Sequence, residues 1–352
     1  MRMLSRLLAI ALIALPVPAA ADTGELTDML RRVPEAALPP GAPRLDISYG
    51  NGDAVRGVAR GGNLAWPADD WAHEYAALRS ASAAQAEALV AGEGEAMELY
   101  YRDWVHTLEV AAPPARMGLH FLFPDSEMRL RGALFGRGLE MATRNGQMVL
   151  WDGETDHGRD PSRADPTNPF GGAEGLSARF VVEGEWALWA SGWTQIELMQ
   201  TGGGATLADR GDVAQIVSGL GDAVRRYGRL VSARISIDLT GTGLEDWSDL
   251  GLQGVVIADV VNRREEAALI GFLFAPGTDT EAIATVLRER WRGSMLARWA
   301  EAPDLIAMPG ARPGFILAIE GGWGEDEAAS NDALAALMRA RENGTLAALI
   351  AP

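Results

Sequence analysis

Asp152, Asp156, His157, Asp160 and Asp165 bring four carboxylates and an imidazole into fourteen residues of sequence. Hard oxygens beside one imidazole suit calcium or another divalent cation, which makes these five the candidate metal ligands. Their spacing follows neither the EF-hand loop nor the glycine-rich RTX repeat. Aspartates so placed also form Asx-turns and cap helices, so a solvated connector uses the same residues. The stretch that holds them, Asp152 to Gly175, is longer than the roughly 12–15 residues beyond which a structureless loop in a compact chain is uncommon. Such loops tend to be functional or disordered, and this one is the leading candidate for a site.

Aromatic residues surround it. Trp151 precedes the loop, Phe170 lies within it, and Trp186, Trp189 and Trp193 follow. Together with His157 they form a candidate ligand-binding set, an aromatic floor beside an acidic loop that suits a sugar, a peptide or an amphipathic molecule. Core packing competes for the same side chains, because positions 186 and 189 point to opposite sides of a regular strand. No catalytic residue is nominated. Of the four histidines, His73 lacks the second histidine of a zincin helix, and His106 and His120 fall in or beside structured segments. There is no Gly-x-Ser-x-Gly elbow, and Gly202-Gly203-Gly204 lacks the strand-to-helix context of a nucleotide loop.

What is missing excludes more. The 352 residues contain no cysteine and no lysine. Thiolate nucleophiles, disulfides, Cys-ligated zinc and iron–sulfur clusters are thereby ruled out, as are Schiff-base and P-loop chemistry, which need an ammonium. Forty-eight acidic residues against 31 arginines give a net charge of −17, the wrong sign for a general nucleic-acid binder. No cofactor is implied.

The elements that must position the candidate residues carry clear punctuation. Arg116 to Phe123 reads as a strand, Pro124-Asp125-Ser126 as a helix start, and Leu139–Thr143 and Gln147–Trp151 flank Asn145-Gly146, a strong hairpin signal. The strands Leu176–Trp186 and Ala187–Trp193 follow the loop. A second β-α-β-β run follows about 150 residues later: strand Ala268–Ala275, a helix with Ile283, Val286, Leu287 and Trp291 on one face, and strands Leu305–Met308 and Phe315–Glu320. Helices Asp212–Arg226 and Asp332–Arg341 close the two runs, the first with Thr206 and Asp209 as its capping box. Upstream, Glu25–Val33 and Trp71–Ala91 read as helical, Glu95–Trp104 resumes that character, and strand Leu45–Tyr49 ends in the turn Gly50-Asn51-Gly52. The fold class expected is α+β, with two duplicated β-α-β-β modules, mainly antiparallel sheets, covered by helices on one face.

Residues 1–21 read as a cleavable export signal: Arg2 and Arg6, an apolar run from Leu7 to Leu15, then Ala19-Ala20-Ala21. That run is too short to span a bilayer. The expected organisation is signal 1–21, N-terminal helix and linker 22–43, first module 44–230 and second module 231–352. The location expected is periplasmic or secreted, without a transmembrane anchor after cleavage. The leading functional expectation is a non-enzymatic module binding a small ligand or an envelope protein; the alternative is a carboxylate-dependent hydrolase. Buried carboxylates of raised pKa converging in one cleft would favour the hydrolase, an apolar groove or exposed sheet edge the binding module.

Overall fold

Residues 265–274 alternate between two environments. Ala267, Leu269 and Leu273 enter one hydrophobic core, and Ala268, Ile270, Phe272 and Phe274 enter another on the opposite side. A strand buried on both faces belongs inside a sheet with a layer on each side. That is the arrangement in the computed structural model, which describes residues 23–60, 78–91, 103–153, 155–239, 250–262, 265–322 and 331–350.

Its strands are β1 (Leu45–Asn51), β2 (Trp104–Ala112), β3 (Ala115–Leu122), β4 (Glu140–Arg144), β5 (Gln147–Trp151) and β6 (Arg179–Glu183), then β7 (Trp186–Ala190), β8 (Arg229–Ile237), β9 (Leu252–Val261), β10 (Glu265–Phe274), β11 (Asp304–Ala307) and β12 (Gly314–Gly322). They form one antiparallel sheet of twelve strands in the order β11-β12-β10-β9-β8-β1-β2-β3-β7-β6-β5-β4. Its helices are α1 (Gly24–Leu30), α2 (Gly52–Arg60), α3 (Ala83–Ala91), α4 (Glu127–Gly136), α5 (Trp193–Thr201), α6 (Gly211–Tyr227), α7 (Thr280–Trp291), α8 (Asp332–Glu342) and α9 (Thr345–Ile350). None among the described residues is long and apolar enough to cross a membrane.

Helices cover both faces, not one. On the first face α1, α5 and α6 pack into a continuous core, α6 through Val213, Ile216, Leu220 and Val224. On the second face α4 supplies Leu130 and Leu134 to a core at one end, while α7, α8 and α9 supply Leu287, Trp291, Leu337 and Leu346 to a core at the other. The physical reason is the double-sided burial of the strands, since an uncovered apolar face is costly in water. Between the two second-face cores the sheet turns polar, at Asp46 and Ser48 of β1, Glu109 of β2 and Arg234 and Ser236 of β8.

The two β-α-β-β runs exist, but their pairings differ. Strand β12 returns to lie beside β10, whereas β3 takes β7 as its neighbour and the β4–β5 hairpin is displaced to the far end of the sheet. Residues 115–151 and 267–321 therefore share element order and not sheet position. Strands β1 and β8 pair directly from Leu45↔Ile237 to Gly50↔Ser232, so residues 44–230 and 231–352 contribute to one sheet and position 230/231 falls inside β8.

Other local readings shift. Strand β1 runs on through Gly50, and Asn51 caps α2 by accepting the Ala54 N–H at 3.0 Å instead of sitting in a turn. Thr206 and Asp209 bond to each other in a turn that precedes α6, whose first residue is Gly211. Trp193 starts helix α5 and is not strand. The export signal 1–21, His73 and most of the segment 95–104 lie outside the described residues.

Candidate functional site

The loop 152–175 folds into a lobe through its own aspartates. Asp152 accepts the Ala178 N–H at 2.7 Å and Arg163 Nη2 at 3.0 Å, tying the start of the loop to its return. Asp160 accepts both the N–H and the hydroxyl of Ser162, at 2.9 and 2.6 Å, which lowers its pKa. Asp165 does the same for Thr167 and also holds Arg137 at 2.6 Å. Asp156 accepts the Trp193 N–H at 2.9 Å, where a carboxylate meets the positive end of α5. His157, at φ 55°, sets its Nδ1 2.8 Å from the Ser191 hydroxyl, and burial lowers its pKa.

The five candidate metal ligands are thus taken up by five separate sets of partners. Among the described residues no three His, Asp or Glu side chains form a group that could hold a metal ion. For Asp160 and Asp165 the reason is short range, since an Asx-turn satisfies each carboxylate two residues along; Asp152 and Asp156 are instead taken by the backbone N–H groups of Ala178 and Trp193.

The aromatic set divides three ways. Phe170 and Trp189 lie 5.8 Å apart in the second-face core, with Phe180 4.7 Å and His120 5.6 Å from Phe170. Trp186 is on the first face, under the Arg32 guanidinium at 3.8 Å. Trp151 and Trp193 meet at 5.9 Å, and Arg144 and the fully buried Arg179 stand over the Trp193 ring at 4.7 and 5.3 Å. No single floor is formed, because strand alternation sends 186 and 189 to opposite faces. Of the six, Trp151 alone lines the open cavity of about 590 Å³ beneath the loop, beside Glu140, Asp152, Asp160, Arg159 and Arg163.

The polar middle of the second face was not anticipated from the sequence. Across the sheet one row reads Ile257, Arg234, Ser48, Glu109, Gly118, Trp189 and Phe180 on successive strands. Burial pushes Glu109 up to about 6, against hydrogen bonding by Ser82 and the charges of Arg116 and Arg234. Among the described residues, one oxygen of Glu109 and the Trp189 indole nitrogen are buried without hydrogen-bond partners, and both residues line a second cavity of about 140 Å³. Farther along, Arg79 bonds Asp259 at 2.6 and 2.9 Å and Glu266 at 2.6 Å, all three side chains buried, and Asn331 adds a 2.8 Å bond to Asp259. Burial, with Asp259 and Asp332 nearby, outweighs Arg79 and pushes Glu266 up to about 7. The sequence signal was available: single acids at 109 and 259 inside apolar runs.

No protein-family model matches the chain, and no curated protein matches it. Solved structures of TP0453 are similar to it. Crystal form I covers 88% of this chain and 97% of that one at 8% identity with a TM-score of 0.40, and crystal form III covers 84% and 94% at 8% identity with a TM-score of 0.41.

Chemically, the two raised carboxylates are not a catalytic pair. Glu109 stands on β2 and Glu266 on β10, four strand steps apart, or about 19 Å across the sheet at ~4.8 Å per step. Retaining or inverting hydrolysis needs two carboxyls within roughly 5–10 Å.

Proposed function

We propose that the chain is an exported, non-enzymatic binding protein whose ligand is a small hydroxyl-rich molecule of the sugar class. The observation that carries this reading is the 590 Å³ cavity, in which the Trp151 indole adjoins Asp152, Asp160, Arg159 and Arg163. An indole gives the apolar face of a sugar ring a platform, and carboxylates and guanidinium groups around it take and give hydrogen bonds to hydroxyls. The volume falls within the roughly 300–1,000 Å³ range of ligand sites. The wide separation of Glu109 and Glu266 favours binding over hydrolysis, and Asp259, the acid beside Glu266, is buried with it against Arg79.

Tryptophan fluorescence titrated with a panel of mono- and oligosaccharides tests the ligand. A saturable change for one sugar, lost in Trp151→Ala and in Asp160→Asn, is the expected result; a flat response across the panel overturns it. Export is tested separately, by intact mass of the chain recovered outside the cytoplasm, expected to start at or near Asp22. We also read the chain as a diverged duplication, with β1-β2-β3 and β6-β7 equivalent to β8-β9-β10 and β11-β12. Support comes from β7 lying beside β3 as β12 lies beside β10, with α4 and α7 on the same face.

A further inference from the structure

The sheet ends at β4 on one side and at β11 on the other. At β11 Tyr227 donates to Asp304, and Arg226 lies 3.5 Å from the same carboxylate, so the end of α6 is tied to the first face of that strand. Among the described residues, strand β4 has only β5 beside it. Four of its five residues are exposed, and Met141 is 61% exposed, one of the few large apolar side chains so open to water among the described residues. An uncovered edge presents unpaired N–H and C=O groups to any further strand.

Which groups those are follows from the hairpin. Asn145 and Gly146 form a two-residue turn with φ 49° and 78°, so the flanking pair Arg144↔Gln147 exchanges hydrogen bonds. Alternation then directs the backbone groups of Glu140, Ala142 and Arg144 toward β5. Those of Met141 and Thr143 point outward.

The segment Glu140-Met141-Ala142-Thr143-Arg144 is complementary to itself in the antiparallel sense. With Ala142 facing Ala142 of a second copy, Met141 meets Thr143 of that copy, and both have outward backbone groups to exchange. In the same register Glu140 meets Arg144 twice, once on each side of the two-fold axis. Glu140, Ala142 and Arg144 share the first face, so each charge pair is on one side of the joined sheet. The neighbouring registers that keep the backbone alternation, centred on Met141 or on Thr143, lose both charge pairs. Neither Glu140 nor Arg144 has an ion-pair partner among the described residues; Arg144 rests on the Trp193 ring.

We propose that β4 is a homodimer interface, pairing antiparallel with β4 of a second copy about Ala142 and extending the sheet across the two-fold axis. Pairing covers the exposed Met141. It also brings Arg144 of the second copy to Glu140, which lines the 590 Å³ cavity, so each protomer contributes to the rim of the other's cavity. A five-residue strand pair is small against the roughly 1,600 Å² of a standard interface, so association is concentration-dependent.

Sedimentation velocity of the full mature chain over a concentration series tests this. The expected result is a monomer–dimer equilibrium in the unaltered chain. Glu140→Arg and Arg144→Glu each put like charges opposite one another twice and raise the dimer Kd about tenfold or more. Mixing the two single variants restores association, since each then supplies the charge that the other lacks, and the double variant E140R/R144E restores it in one chain. The mixing arm separates a lost interface from a lost fold, because a misfolded variant is not rescued by a partner. A chain that stays monomeric throughout, a dimer indifferent to both single substitutions, or single variants that fail to associate when mixed would each overturn the proposal.

Discussion

The indole of Trp189 lies across Gly118 of the adjacent strand, so that a Cβ built on Gly118 would meet the indole nitrogen and sit 2.8 Å from the Leu108 carbonyl oxygen. The glycine here provides room and not backbone freedom. Its absent side chain lets a tryptophan 3% exposed reach from β7 toward Glu109 on the far side of β3.

Gly118→Ala is therefore expected to destabilise the fold by about 1–3 kcal/mol, the usual cost of overpacking, because one of the obstructing atoms belongs to backbone that cannot swing away. Urea unfolding should show a lower midpoint at an unchanged m-value. An unchanged midpoint would mean that Trp189 does not occupy that space.

Arg79 is the only guanidinium seen bonding both Asp259 and Glu266 among the described residues. Arg79→Met leaves two buried acids facing each other without it and should cost about 3–5 kcal/mol. Adding Asp259→Asn and Glu266→Gln to that variant should recover much of the loss, as read by thermal unfolding at neutral pH.

Two buried groups give opposite pH dependences. Glu266 has a folded pKa near 7 against an ordinary 4.5, so the folded state holds the proton more tightly. Its contribution to stability is complete below about 4.5 and is lost as pH rises toward 7. Glu266→Gln should remove that downward slope, measured by urea unfolding at a series of pH values.

His120 behaves in the reverse sense. Burial lowers its pKa to about 3 from 6.5, and neither ring nitrogen has a hydrogen-bond partner among the described residues, while the ring stacks on Trp104 at 4.2 Å. Its contribution is present above 6.5 and is lost as pH falls toward 3. His120→Phe keeps an aromatic ring in the stack and should flatten the loss of stability on the acid side; an unaltered acid limb would show that another group controls it.

Calcium should leave the melting temperature unchanged, since the five loop ligands are turned to separate partners. Asp152→Ala, by contrast, removes the acceptor for the Ala178 N–H and for Arg163 and should lower stability by about 1–2 kcal/mol. A calcium-dependent rise in melting temperature that vanishes in Asp156→Ala with Asp160→Ala would reinstate the metal site.

The sequence by itself determined the elements whose signals are local. Asn145-Gly146 marks the β4–β5 hairpin because positive φ at two successive positions has few other uses, and the apolar face of α6 follows from helical periodicity over more than four turns. The turn-forming use of Asp160 and Asp165 was legible as one of two readings, since a bond to a residue two positions along needs no distant partner. Strands β8 and β9 are equally local in pattern, with alternation at 229–237 and an apolar run at 252–261.

Only the tertiary structure decided which strands lie side by side. Periodicity says that Trp186 and Trp189 face opposite ways; it does not say that β7 lies against β3, which places Trp189 over Gly118 and Phe170 in the core and leaves Trp151 to the cavity. Nor does it say that Arg79 reaches Asp259 and Glu266, 180 and 187 residues away in sequence. Such pairings are chosen by the burial of both sheet faces at once. That is a property of the assembled layers, and no single segment contains it.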